Sequence, residues 1–322
     1  MHLGLTPEHG RSLCAPPFPF PDCGGHGVKL TSPSQIRLVL LQFGLTPDKR
    51  KGQHFLGDHN ILEKILQAAD LSPEEGAMEI GSGIGTLTRA LAQHAKQVLT
   101  FEVDTKLIPI IQHHLRGLQN VRLIHGDFLR QNLPQLIQDT FGDTPFKVVA
   151  NIPYGITSPI LDRLFGVASG WDRAVLMMQR EVAERLIAEP GTPEYSAISV
   201  FAQYHSRVEI VQRVSRTVFY PPPEVDSAIV RFTPLPKRLP PDEEKRLFRV
   251  VRAAFGQRRK TLLNALSGGL GLPREQVEAG LRNAGIDPQR RGETLTLEEF
   301  IVLSRWLLGD VQTAREKSSA EG

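Results

Sequence analysis

Asn151-Ile152-Pro153-Tyr154 closes the apolar run Phe146-Lys147-Val148-Val149-Ala150. Asn151 carries an amide oxygen that accepts hydrogen bonds. Pro153 fixes its own φ and pushes Ile152 toward extended geometry, which aims the Ile152 carbonyl as a second acceptor. Tyr154 adds a flat ring. Two acceptors and one ring suit an exocyclic amino group on a planar base. Alone, the tetrapeptide equally fits a strand that ends in a Pro turn.

About seventy residues upstream, Ala77-Met78-Glu79-Ile80 reads as a short strand, and Gly81-Ser82-Gly83-Ile84-Gly85-Thr86 leads from it into a helix. Glycines let the backbone approach a ligand, and N–H groups at a helix start are free to donate. The spacing is E-x-G-x-G-x-G, with Thr86 where a dinucleotide loop carries its third small residue, and no Gly-Lys-Ser/Thr follows. That favours the smaller, cationic nucleoside S-adenosylmethionine over a pyrophosphate. Two further strands, Gln97 to Phe101 and Val121 to His125, end at Glu102-Val103-Asp104 and Gly126-Asp127-Phe128. Glu102 stands where a carboxylate can accept from both ribose hydroxyls, and Asp127 where one can accept from an adenine amino group. Either acid alone fits a plain loop carboxylate. At successive strand ends, with Asn151 at the fourth, they mark the crevice where open α/β sheets hold ligands.

The elements that must position these residues are legible from periodicity. A helix is predicted from Ser34, with Ile36, Val39 and Leu40 on one face, and another over Asn60 to Ala69. Between them lies the basic cluster Lys49-Arg50-Lys51, which runs into Gly52-Gln53-His54-Phe55-Leu56. Strands are predicted at Trp171 to Met178, Val208 to Val214 and Ser227 to Phe232, with helices over Arg180 to Ile187 and Ser196 to Tyr204. The connector Val218-Phe219-Tyr220-Pro221-Pro222-Pro223 puts an aromatic pair on a stiff, polyproline-like support, or is simply a rigid edge loop. Pro234, Pro236, Pro240 and Pro241 mark a domain boundary, beyond which short helices follow, the first rich in Arg.

The chain has 322 residues, 40% hydrophobic and 23% charged, with a formal net charge of +3. That is enough length for one large or two ordinary domains. The charge permits a polyanionic partner without demanding one. No apolar run approaches the roughly 18 residues of a membrane span, and no signal pattern opens the chain. The two cysteines, Cys14 and Cys23, lie in a Pro/Gly-rich leader, which argues for a reducing cytoplasm rather than a disulfide framework. With His26 they match no zinc spacing, so no metal is expected. The expected organisation is a disordered extension over 1–30, an α/β domain over 31–236, a helical domain over 237–309 and a disordered tail over 310–322.

In this order and spacing, eight strings resemble the ribosomal RNA adenine N6-dimethyltransferases, in particular the small-subunit (kasugamycin-resistance) type. They are Gly52-Gln-His-Phe-Leu56, Glu79-x-Gly-x-Gly-x-Gly85, Glu102-x-Asp104, Gly126-Asp127, Asn151-Ile-Pro-Tyr154, Gln179-Arg-Glu-Val-Ala-Glu-Arg185, Phe219-Tyr-Pro-Pro-Pro-Glu-Val-Asp-Ser227 and Phe255-Gly-Gln-Arg-Arg-Lys-Thr261. The resemblance runs from about Ser32 to Leu308. It implies a seven-stranded, Rossmann-like methyltransferase sheet with a small C-terminal helical domain. It also implies S-adenosylmethionine as cofactor, with His54, Leu56, Gly81, Gly83, Glu102, Asp127 and Asn151 as contacts. Three departures stand out: His54 replaces a commoner Asn, Ser82 a frequent Pro, and Gly155 a larger residue.

The implied reaction is methyl transfer to adenine N6, at two adjacent adenines near the 3′ end of small-subunit RNA during ribosome biogenesis. Asn151 and the Ile152 carbonyl would orient the amine, while Tyr154 and Phe219 stack on opposite faces of the extruded base. Lys49, Arg50 and Lys51, with Arg249, Arg252, Arg258, Arg259 and Lys260, would contact RNA phosphates. The expected partner is the immature small subunit, met by a monomer. Competing readings are a DNA adenine methylase, a large-subunit RNA dimethyltransferase of the resistance type, and an assembly factor without catalysis.

Overall fold

The computed structural model describes residues 30–166 and 170–309. Helix α1 (Pro33–Gln42), strand β1 (Phe55–Leu56) and helix α2 (His59–Ala69) come first. An alternating stretch follows: β2 (Gly76–Ile80), α3 (Thr86–His94), β3 (Gln97–Glu102), α4 (Ile108–His114), β4 (Val121–His125), α5 (Leu133–Phe141), β5 (Phe146–Asn151), α6 (Thr157–Gly166) and β6 (Trp171–Gln179). Helices α7 (Arg180–Leu186) and α8 (Ala197–His205) lead to β7 (Ser206–Val214), β8 (Phe219–Tyr220) and β9 (Ser227–Pro234). Helices α9 (Pro241–Phe255), α10 (Leu262–Leu270), α11 (Arg274–Asn283) and α12 (Leu297–Leu308) pack together at the end. The leader and tail, with Cys14, Cys23 and His26, lie outside the described residues.

Seven strands form one sheet in the order β4-β3-β2-β5-β6-β9-β7. The first five are parallel, and β9 runs antiparallel between β6 and β7. Helices cover both faces, which is why β2 and β5 read as apolar runs rather than alternating ones. Neighbouring residues feed opposite cores: Met78, Leu99, Val148 and Leu176 face one helical layer, and Ala77, Val98, Val149 and Val175 face α2 and α3 on the other. The helices α9–α12 share a core that takes in Tyr195, Val200 and Tyr204 from around α8. Helices α4, α5 and α6 go beyond the segments predicted from periodicity. Each carries a Pro in its first turn (Pro109, Pro134, Pro159), a residue that punctuates a sequence yet is tolerated where a helix starts.

Residues 51–56 form a strap that ends in β1, held between α1 and the chain's distant connector. Strand β1 pairs antiparallel with β8, Phe55 opposite Tyr220 and Leu56 opposite Phe219. Ser32 caps α1 through its hydroxyl, and Ile36, Val39 and Leu40 bury its inner face beside Phe55; full burial contributes about 1.5–3 kcal/mol per such side chain. Gly57 sits where α1 begins, and the Asp58 side chain caps α2 by accepting from Ile61 N at 3.0 Å. A methyl group on Gly57 would lie 2.8 Å from both the Pro33 nitrogen and the Ser32 carbonyl carbon. Gly57→Ala is therefore expected to push α1 from the strap and cost about 1–3 kcal/mol. Urea unfolding should show a lower midpoint at unchanged slope.

Candidate active site

The ends of β2, β3, β4 and β5 place Gly81, Glu102, Asp127 and Asn151 at one edge of the sheet, around the point between β2 and β5 where strand order reverses. Gly81, Gly83 and Gly85 adopt φ of 82°, 57° and 84°, a region that residues with a Cβ avoid. The loop they form wraps the Glu102 carboxylate: Gly83 N donates to one oxygen at 2.8 Å and Asp104 N to the other at 2.8 Å. Only 6% of Glu102 is exposed, and burial pushes its carboxyl above the usual range despite these donors.

Glu79 lies behind it, 1% exposed. Thr88 and Thr100 hydroxyls each donate to its Oε2 at 2.6 Å. Burial, aided by the nearby Glu102 charge, pushes Glu79 up to about 7. Ser82 extends this chain, its hydroxyl 2.6 Å from that of Thr100. Thr86 Oγ1 is buried beside the cavity without a hydrogen-bond partner. The charged lining is thus carboxylate (Glu79, Glu102, Asp127), with the rim cation Lys51 tied to Asp104 at 3.0 Å. Such a lining suits a cationic nucleoside better than a phosphate.

The strap closes the cavity. Gln53 Nε2 donates to Asp104 at 2.6 Å; burial of Asp104 opposes ionisation, but its bonds from Lys51 and Gln53 hold the carboxyl below its ordinary value. His54 Nδ1 donates to the Pro221 carbonyl at 2.8 Å, and the His54 carbonyl accepts from Asn151 Nδ2 at 3.2 Å. A carbonyl can only accept, so this bond orients the Asn151 amide and leaves Oδ1 as its acceptor. Ile152 N donates to the Met177 carbonyl at 3.1 Å. Among the described residues no donor reaches Asn151 Oδ1 or the Ile152 carbonyl.

The Tyr154 hydroxyl bonds that of buried Ser227, and burial pushes the phenol up. Gly52 packs against the Tyr154 backbone. Gly155 takes φ of 93° with nothing within 4 Å of where a Cβ would stand. The loop thus turns through a conformation that a residue with a Cβ there would strain.

His54, Leu56, Gly81, Gly83, Glu102, Asp127, Asn151, Ile152 and Tyr154 line one cavity. Phe219, expected as a stacking ring, is not among the residues that line it and is 1% exposed. Its pairing with Leu56 in the short β1–β8 ladder turns its ring into the core, beside Val214 and Ile229. The ring that does stack on Tyr154 is that of His54, centroids 5.5 Å apart and planes 26° from parallel. Glu79, Gln53 and Ser227 also belong to the site. Glu79 and Gln53 sit inside motif strings, but their bonding partners lie in other segments, out of reach of local spacing.

The basic residues divide. Arg249 and Arg252 border one cleft of the C-terminal helices, and Arg258 and Arg259 another, with Arg291. Lys260, Arg252 and Arg259 are exposed. Arg258 is committed elsewhere, to Glu293 at 3.2 Å and to the Pro193 carbonyl, so it ties the α8 side to the helices. Arg249 donates to the Leu270 carbonyl at 3.3 Å, and Arg50 pairs with Asp48 at 3.3 Å. Lys49 lies in a short 3₁₀ turn at the start of the strap.

The family profile for ribosomal RNA adenine dimethylase matches residues 45–308. The chain belongs to that family. Ribosomal RNA small subunit methyltransferase A of Geobacillus sp. (strain WCH70) is 45% identical over 285 residues, covering 86% of this chain and 97% of the relative. The protein of that name from Alkaliphilus metalliredigens is 44% identical, covering 86% of this chain and 97% of its own. Among solved structures, a dimethyladenosine transferase from Plasmodium falciparum aligns with a TM-score of 0.63 at 27% identity, covering 78% of this chain and 96% of its own. The 23S rRNA methyltransferase ErmE aligns with 0.58 at 31%, covering 79% and 99%. The seven-stranded, Rossmann-like sheet expected of this dimethylase family is the one observed. Among the described residues, no helix is long and apolar enough to cross a membrane, and no group of three or more His, Cys, Asp or Glu could hold a metal.

Three outcomes are expected of these side chains. Because the folded Glu79 carboxyl, at about 7, holds its proton above the ordinary value of 4.5, the folded state binds more protons in that window, and stability falls as pH rises from 4.5 to 7. The loss is on the order of 3 kcal/mol, and Glu79→Gln should remove most of that slope in denaturation measured across pH. Replacing Arg252, Arg259 and Lys260 by Ala should weaken RNA binding and reduce the slope of log affinity against log salt by about 2–3. Arg258→Ala should instead lower the melting temperature and leave that slope unchanged.

Proposed function

We propose that the chain transfers methyl groups from S-adenosylmethionine to N6 of adenine in small-subunit ribosomal RNA, dimethylating two adjacent adenines on the immature subunit. The observation that carries this reading is the pair of acceptors that no described donor reaches, Asn151 Oδ1 and the Ile152 carbonyl, on residues that line one cavity with carboxylates and aromatic rings. The names and 44–45% identities of the curated relatives favour the small subunit over the large.

Glu102 would accept from the ribose hydroxyls of the cofactor, Asp127 from its adenine amine, and Gly81, Gly83, His54 and Leu56 would border it. The bound cofactor supplies a methyl group already activated by its sulfonium, so the remaining difficulty is the acceptor amine, whose lone pair is delocalised into the ring. Asn151 and the Ile152 carbonyl hold the N6 hydrogens and help localise that lone pair toward the methyl; Tyr154 carries the ring. Catalysis is then mostly positioning and preorganised dipoles. Transfer leaves the thioether product and a methylated, protonated nitrogen, which sheds one proton to solvent; a second transfer then meets a nitrogen with one hydrogen left, so one of the two acceptors gives up its bond to make room for the first methyl.

The test is to incubate the protein with labelled S-adenosylmethionine and, side by side, immature small subunits and large-subunit ribosomal RNA, and to map the methylated bases. Label confined to large-subunit RNA, or no label at all, would overturn the reading. Asn151→Ala at saturating cofactor should lower turnover about 10²–10³-fold, the scale of losing one preorganised polar group, with RNA affinity near wild type. Glu102→Ala should weaken cofactor binding about ten-fold by calorimetry.

A further inference from the structure

Glu79 and Glu102 are both buried beside the glycine loop, and among the described residues no cation forms an ion pair with either. Their partners differ in kind. Each Glu102 oxygen accepts from a backbone N–H, of Gly83 or of Asp104. An N–H can only donate, so a proton on either oxygen would face another hydrogen, and these bonds suit the charged form. Glu79 Oε2 instead meets two hydroxyls, of Thr88 and Thr100, at 2.6 Å each. A hydroxyl can donate to a carboxylate or accept from a carboxylic acid. The Thr100 hydroxyl lies 2.6 Å from that of Ser82, which reaches the Phe101 carbonyl at 3.3 Å. With a proton on Glu79, hydrogens can therefore point in turn from Glu79 to Thr100, to Ser82 and to the Phe101 carbonyl. Without it, Thr100 turns its hydrogen back to Glu79. Glu79 can thus gain or lose a proton with its partners in place, and Glu102 cannot. The other charged groups nearby are committed: Lys51 to Asp104 at 3.0 Å, and Arg89 of α3 to the His114 carbonyl at 2.6 Å. His114 donates from Nδ1 to the Ile84 carbonyl, burial opposes its charging, and Asp127 only adds to the negative lining.

This inference rests on the functional reading, which puts the adenine of S-adenosylmethionine at the end of β4, its ribose at the end of β3 and its methyl at the end of β5. The strand order is β4-β3-β2-β5, so the sulfur crosses the end of β2, the strand that carries Glu79, and Glu79 lines the cavity. We propose that Glu79 holds a proton in the free protein, that the sulfonium charge expels it to solvent, and that Glu79 thereby distinguishes the charged methyl donor from its uncharged thioether product. Binding the donor exchanges one positive charge for another, so the buried carboxylates are not left to repel each other unbalanced. Methyl transfer removes the charge from sulfur, and Glu79 then takes a proton back from solvent. The product faces a neutral carboxyl and is held less firmly than the donor was. Burial pushes the Glu79 carboxyl up to about 7, which sets this exchange near neutral pH.

Calorimetric titration of the whole protein in phosphate and in Tris, whose ionisation enthalpies differ, counts the protons released on binding. S-adenosylmethionine should release about half a proton at pH 7, where half of the free sites carry one, and S-adenosylhomocysteine far less. Affinity for the donor should rise about ten-fold from pH 6 to pH 8 and level off above, while that for the product changes by less than about two-fold. Glu79→Gln, an uncharged isostere of the protonated form, should release no proton and bind the donor with an affinity independent of pH over this range. The wild-type counts decide the matter even if that variant folds poorly. Equal counts for donor and product, zero included, would overturn the proposal, as would a count that survives Glu79→Gln in a variant of normal melting temperature. Binding of neither ligand would overturn the functional reading and this inference with it, whereas binding of both with equal counts overturns this inference alone.

Discussion

The His54 carbonyl's bond to Asn151 Nδ2 is the interaction on which the rest of the site depends. A primary amide presents a donor end and an acceptor end of nearly equal size, and only its partners decide which one faces the cavity. By taking the donor end, the strap leaves Asn151 only its acceptor end. The strap is in turn fixed by Gln53 on Asp104 and by His54 on Pro221. If it lifted, the cavity would lose its cover and Asn151 its orientation together. Closure of the cavity and orientation of Asn151 are thus one mechanical unit.

The carboxylates behind the glycine loop show the opposite economy. Glu79 and Glu102 lie in one buried region, and burial works against both charges. Backbone N–H groups and threonine hydroxyls offset part of that cost, but a cation brought to the cavity would offset more. The site is held short of electrostatic balance, which a positive charge in the cavity would restore.

Much of this was readable from sequence because buried parallel strands declare themselves as apolar runs, and the residues after them sit at the sheet's ligand edge whatever the helices do. Gly81, Glu102, Asp127 and Asn151 follow from that rule. Two-residue strands such as β1 and β8 have no period to detect. Their pairing decides which way Phe219 faces, and so the aromatic pair could be located in sequence but not oriented. Arg258 looked like its neighbours in a basic run, yet its partners Pro193 and Glu293 are 65 and 35 residues away. Ser227 could be named as part of a string, but its purpose became visible only with Tyr154 beside it.

The strap's anchors also bear on how the chain is made. His54 and Pro221 are separated by 167 residues, and Tyr154 and Ser227 by 73. Strand β9, which begins at Ser227, is the last laid into the sheet, although it lies between β6 and β7. During synthesis the five parallel strands and their helices emerge first and can collapse around their own cores. The closed cavity comes into being only after some seventy per cent of the chain has appeared. Until then the nascent protein carries a formed glycine loop without a roof, so competence for its ligand arrives as a late event of folding rather than growing with chain length.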